Sequence, residues 1–227
     1  LIPSGTPAKA LVPGDGSLGK TWTRIGFDDA AWDKVATGVG YDENSTYIPE
    51  FGAGGNLGNR LNNVNTSLYL RVLFDVANAS AISKLTLKMK YDDGFAAFLN
   101  GVRVAFSNSP ASTTWNSKAT GSHADGDATT FKAFNISAHS HLLKTGANVL
   151  AIQGLNTSMT SSDMLISPEL HAVRITDPTI GGPGYLGTPS PGTFNGDTFD
   201  GFVSDTKFSV DRGFFKTPFS VKITTDN

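Results

Sequence analysis

The 227-residue chain contains no cysteine, which excludes a disulfide scaffold, a thiolate metal site and a cysteine nucleophile. Charge is also scarce. Asp, Glu, Lys and Arg make up 17% of the residues, against roughly 25% in ordinary soluble domains, so polarity rests on Asn, Ser, Thr and Gly. The net charge is −2, and no basic field is expected to recruit nucleic acid. No apolar run approaches the roughly 18 residues of a membrane span, and Leu1 opens no signal-peptide pattern. A start at Leu1 rather than Met is expected of a mature or excised piece of a longer protein.

Helical periodicity is missing as well, and this decides two motifs. Gly14-Asp15-Gly16-Ser17-Leu18-Gly19-Lys20-Thr21 fits the phosphate-loop spacing. Such a loop works only between a buried strand and a helix whose N-terminus holds the phosphates. Here TWTRIGFDD follows, with no 3.6-residue apolar period, so the stretch reads as a Gly-rich turn between early strands. A Ser-His-Asp hydrolase would need a G-x-S-x-G elbow and α/β alternation, and neither occurs. His139-Ser140-His141 has no third ligand nearby in sequence and reads as solvated loop histidines.

What is present is strand pattern. In Lys84–Phe106, Leu85, Leu87, Met89 and Tyr91 alternate with Thr86, Lys88 and Lys90, which puts one face in a core and the other in water. Asp92-Asp93-Gly94 breaks the run as a turn. Phe95–Leu99 is apolar throughout, as expected of a strand covered on both faces. Asn100-Gly101 is a type I′ hairpin signal, and Val102–Phe106 is the return strand. Three antiparallel strands are therefore expected here, and an all-β class. Further strands are expected at Ser67–Val76, Thr130–Ile136, Ala147–Leu155 and Met164–Ile175. Phe27–Trp32 suggests one helical turn with an Asp cap, Phe27 and Trp32 plugging the end of a sandwich. Trp22 and Trp32 read as framework. Two long polar stretches, 38–66 and 107–130, read as functional loops or covering flaps.

The composition shifts to Pro and Gly after the last strand. The expected organisation is a β-sandwich over 1–176, a linker or strap over 177–193, and a partial β segment over 194–227. The last 34 residues are too few for a core of their own, so this tail is expected either to pack back on the main domain or to be the cut start of another β domain, the second origin being favoured with its ordered part resting on the first domain.

Taken together, TWTRIGFDDAAWDKVATGVGYD, NVNTSLYLRVLFDV, LTLKMKYDDGFAAFLNGVRVAF, LLKTGANVLAIQGLN and TSSDMLISPEL resemble a galactose-binding-like jelly-roll module of large secreted bacterial proteins. The tail DTKFSVDRGFFKTPFSVKITTDN resembles the opening of the small β-sandwich of chitobiase C-terminal domains. The resemblance implies an antiparallel jelly-roll β-sandwich, an extracellular or cell-surface location, sugar contact, and in related jelly rolls a structural calcium ion. YDDGFAAFLNG is also similar to the Asp-Asp-Gly strand pair of anthrax-protective-antigen-type lectin domains, where paired acids hold calcium and calcium holds sugar hydroxyls. That likeness assigns Asp92 and Asp93.

Sugar recognition needs an aromatic face against the apolar side of a pyranose, and planar polar groups for the hydroxyls. Trp115, in a polar loop, is the leading platform; Tyr47 and Phe51, in the other long loop, follow by the same logic. Each could instead be a loop anchor, and Asp92-Asp93 could instead be a tight turn binding its own amides. For calcium, which takes six to eight oxygens, Asp15, Asp163 and Glu169 are the candidates, since the resemblance to sugar-binding jelly rolls implies one early acid and one near the last strand. A glycosidase would need two carboxylates opposed across a cleft, and acids confined to turns do not suggest one. The expected function is therefore a non-catalytic carbohydrate-binding module, monomeric, with polysaccharide or glycan and other domains of the parent chain as partners. The alternative is a structural, adhesion or protein-interaction spacer without a small ligand.

Overall fold

The computed structural model describes residues 1–174, 185–186, 198–199, 207–209, 217–218 and 220–224. Ten strands are laid down in the first stretch: β1 (Pro7–Leu11), β2 (Asp33–Ala36), β3 (Val39–Asp42), β4 (Ser67–Val76), β5 (Ile82–Asp92), β6 (Gly94–Leu99), β7 (Val102–Ser107), β8 (Lys132–Asn135), β9 (Gly146–Leu155) and β10 (Asp163–Arg174). They form two antiparallel sheets, ordered β2-β1-β4-β9-β6-β7 and β3-β10-β5-β8. Successive strands change layer from β3 through β6, and again from β8 through β10. The result is an all-β, antiparallel β-sandwich.

The period-2 pattern explains the layers. Leu68, Leu70, Val72 and Phe74 of β4 face Leu85, Leu87, Met89 and Tyr91 of β5, all buried in the main core. At roughly 1.5–3 kcal/mol for each large apolar side chain removed from water, these rows hold the sheets together. β3 needs glycine for a different reason: a Cβ on Gly40 would stand 1.8 Å from the Met164 carbonyl oxygen, so only glycine lets β3 lie this close to β10.

The central strands are covered on both faces, as the apolar run 95–99 requires. Phe95, Ala97 and Leu99 enter the main core. Ala96 and Phe98 turn outward into a second cluster with Trp22, Trp32, Tyr69, Val149 and Ala151. Trp22 stacks on Tyr69 at 3.9 Å between ring centroids. Both tryptophans are thus framework, but with Phe27 they cover the outer face of the larger sheet rather than plug an end. The expected turn is present in reduced form: Trp32 closes a single hydrogen-bonded turn onto the Asp29 carbonyl at 3.0 Å, and Asp28 at its start accepts the Ala30 amide, while a 3-10 turn lies earlier, at Thr21–Thr23.

This outer layer is tied down by Arg71 of β4, whose side chain is 1% exposed. Its guanidinium donates to the carbonyls of Trp22 and Arg24, reaches that of Phe27 at 3.5 Å, and bonds the Asp29 carboxylate through Nε at 2.7 Å.

One expectation is corrected. Asp92-Asp93-Gly94 does not turn β5 back onto β6. β5 belongs to the four-stranded sheet and β6 to the six-stranded sheet, so Asp93 marks a crossing between layers. Gly94 is required there because a Cβ would lie 2.7 Å from the Asn108 carbonyl oxygen. The Asn100-Gly101 hairpin between β6 and β7 is formed, with positive φ at both residues.

The chain divides into two compact units, Leu1–Ile175 and Thr176–Asn227. In the second, Tyr185–Leu186 pairs with Thr198–Phe199 and Lys207–Phe208 with Ile223–Thr224, both antiparallel. The Pro/Gly strap expected over 177–193 lies almost wholly outside the described residues. No helix among the described residues is long and apolar enough to cross a membrane.

Candidate functional site

Two sites emerge, one acidic and largely buried, the other aromatic and open. The acidic one gathers Asp92 from the end of β5, Asp163 from the start of β10 and Asp125 from the single helical turn Asp125–Ala128. One carboxylate oxygen from each lies within 4.8 Å of the others. β10 pairs with both β3 and β5, which brings Asp163 opposite Asp42 and Leu165 opposite Asp92. The Tyr47 hydroxyl donates to Asp92 Oδ2 at 2.9 Å, and Asp42 holds the Tyr47 amide in place.

The electrostatics follow from burial. Desolvation pushes the Asp92 carboxyl up to about 8; the Tyr47 hydrogen bond opposes this, and the Asp93 and Asp163 charges add to it. Desolvation also raises Asp163, with the Asp125 charge next. The Tyr47 phenol is raised by burial and by Asp92. Three clustered oxygen ligands, two of them buried carboxylates, could hold a metal ion, and oxygen donors suit a hard cation.

The sequence candidates divide around this cluster. Asp92 and Asp163 join it. Asp93 does not: its carboxylate accepts the Thr157 amide and hydroxyl at 2.8 and 2.7 Å and the His123 amide at 3.1 Å. The peptide between Asp92 and Asp93 is cis. Both residues are buried, 3% and 6% exposed, so neither presents a surface carboxylate to a sugar. Tyr47 is fully buried with Ala128 and Leu165, and Phe51 packs against that group. A ring enclosed in this way offers no stacking face, which corrects the expectation for Tyr47. Asp15 caps its own turn through the Ser17 amide at 2.8 Å. Glu169 bonds Ser4 and His171 at 2.6 and 2.7 Å; these contacts hold its carboxyl low although burial pushes it up. Neither belongs to the acidic cluster. Asp125 does, and sequence reasoning missed it: Asp125-Gly126-Asp127 has no recognisable ligand spacing, and its partners lie in distant strands.

The open site is built around Trp115, which is half-buried. With Gly16, Gly19, Lys20, Thr113 and Thr114 it lines a pocket of about 240 Å³. Trp115 lies close over Gly16: a Cβ there would stand 3.1 Å from Trp115 Cδ1, a contact the ring would relieve by a small shift. The loop is held rigidly through its carbonyls. Gln153 Nε2 donates to Thr114 O at 2.7 Å, Thr66 to Asn116 O and Ser117 O at 3.1 Å each, and Ser67 to Ser117 O at 2.9 Å. Asn65 pins both walls, donating to Pro13 O at 2.7 Å and Trp115 O at 3.3 Å. The Gly14–Thr21 stretch that resembled a phosphate loop thus forms one wall of the Trp115 pocket. Tyr47 and Phe51 do not line it.

No protein-family model and no curated protein matches this chain. Similar solved structures include a β-glucuronidase of Bacteroides uniformis, at 12% identity and TM-score 0.42, covering 74% of this chain and 18% of that one. A second is a calcium-binding mutant of Bacteroides uniformis β-glucuronidase 2, at 12% identity and TM-score 0.40, with the same coverages. A third is an exo-chitosanase of Amycolatopsis orientalis, at 13% identity and TM-score 0.41, covering 74% and 20%. This chain spans about a fifth of the length of these structures. At such identities and TM-scores the likenesses carry no functional argument.

Proposed function

We propose that the chain is a non-catalytic carbohydrate-binding module acting outside the cell, which holds polysaccharide or cell-surface glycan at the Trp115 pocket. The observation that carries this reading is the half-buried indole of Trp115 lining a pocket with Lys20 and two threonines, on a loop whose carbonyls are already bonded. An indole face covers the apolar side of a pyranose, and hydroxyl and ammonium groups answer its hydroxyls. Pre-bonding lowers the entropy lost on binding. The proposal includes a structural calcium ion at Asp92, Asp125 and Asp163, supported by the convergence of their oxygens.

Affinity electrophoresis through native gels containing a panel of polysaccharides tests the reading. Retardation by at least one polysaccharide is expected, and Trp115→Ala should weaken it by about tenfold or more. The thermal midpoint should hardly move, because the loop is held by its backbone rather than by the indole. Failure of every polysaccharide to retard the protein, with and without calcium, would replace this reading with the structural spacer. Turnover of chromogenic glycosides would refute its non-catalytic part.

A further inference from the structure

The chemistry lining the Trp115 pocket is one-sided. Lys20 supplies its charge, and none of its described lining residues is acidic. Lys20 is exposed. Among the described residues no carboxylate or carbonyl engages its ammonium, whereas Lys90 is paired with Glu50 at 2.7 Å and Lys9 donates to the Ala30 and Trp32 carbonyls. The nearest acid in sequence, Asp15, directs its carboxylate into its own turn, onto the Ser17 amide. Lys118 stands exposed further along the Trp115 loop. Pro13 and Trp115 share Asn65 as donor, which fixes the Gly14–Lys20 wall relative to the Trp115 loop.

We infer that the ligand of this pocket is an anionic saccharide, bearing a carboxylate or a sulfate ester, whose ring lies on Trp115 and whose charge meets Lys20. This inference rests on the carbohydrate reading and narrows it. An unpaired ammonium is a strong donor to either anionic group. The adjacent Thr113 and Thr114 hydroxyls serve the same oxygens or the ring hydroxyls. A neutral glycan would leave the cation without its complement, so discrimination falls on charge as well as shape. The single-cation lining predicts dependence on one ionic contact rather than on a broad basic surface, in keeping with the overall charge of −2.

Matched polymer pairs test this: polygalacturonate against its fully methyl-esterified form, and dextran sulfate against dextran, each in affinity gels at low and moderate salt. Binding to at least one charged polymer should exceed binding to its neutral partner, and the pair that responds separates carboxylate from sulfate. Lys20→Gln should weaken the charged interaction by about fivefold, as expected for one exposed ion contact, and flatten its salt dependence. Its thermal midpoint should match the wild type. Equal retardation by charged and neutral partners, or a Lys20→Gln variant that binds like wild type, overturns the inference. If Trp115→Ala still abolishes binding to a neutral polymer in that case, the carbohydrate reading survives alone. If none of these polymers retards the wild type, the inference falls, and the wider panel then judges the carbohydrate reading separately.

Discussion

Replacing Arg71 with methionine should lower the free energy of unfolding by about 3–5 kcal/mol, the usual cost of removing one partner of a buried ion pair. The methionine would fill part of the space but leave the Asp29 carboxylate and the Trp22, Arg24 and Phe27 carbonyls without their donor. The orphaned carbonyls are part of that cost, which water entering beside Asp29 and the partly exposed backbone keeps well below the full desolvation penalty of about 1–3 kcal/mol per dry group. Urea titration would register this as a fall in the midpoint at nearly constant slope. The damage should concentrate in the layer of Trp22, Phe27 and Trp32, so the fluorescence of the buried indoles in the folded variant should differ from that of the wild type. A loss below about 1 kcal/mol would mean that Arg71 behaves as a surface cation and that the outer layer is held by apolar contact alone.

The acidic cluster carries the second large effect. With Asp92 raised to about 8 in the folded protein and near 4 when unfolded, the folded state binds the extra proton between those values. Stability of the metal-free protein should therefore fall as pH rises from about 5 to 8, by on the order of a few kcal/mol, and level off above that range. Asp163, also raised, acts in the same direction. Glu169 and Asp15, both lowered, act oppositely but only at more acidic pH, outside this window. Calcium needs the ionised carboxylates, so it should compete with the proton and raise the thermal midpoint more at pH 8 than at pH 6. Asp92→Asn should remove most of the pH slope, leaving the part that Asp163 contributes, together with the calcium response. Calorimetry in EDTA and in calcium decides the matter. A metal-free protein that gains stability between pH 5 and 8, or an Asp92→Asn variant that keeps the calcium response, would show that the cluster is not a proton-or-cation site.

Most of the strands are legible in the sequence. Ser67–Val76 is read to the residue, and β5, β6, β7, β9 and β10 to within about two residues, because alternation marks a strand with one buried face and a short apolar run marks one covered on both. β1, β2 and β3 were not located. They are four or five residues long, too short for a clear alternation; β2 and β3 are also edge strands, and Gly40 of β3 serves the close approach to β10. The Asp-Asp-Gly break was visible as a break, but its sense was not. Turn chemistry says that a strand ends, not which sheet receives the next one.

The same division runs through the candidate sites. Composition and pattern alone determined an all-β chain without thiol chemistry, a β4–β10 core, and Trp115 as an aromatic in a polar loop, because these depend on local periodicity and residue type. Only the tertiary structure decided that Asp125 joins Asp92 and Asp163, that Asp93 and Tyr47 serve the interior, and that the false phosphate loop faces Trp115. Those facts arise from pairings across large sequence separations, where burial and a neighbour's charge set what a side chain can do, and a linear sequence records neither.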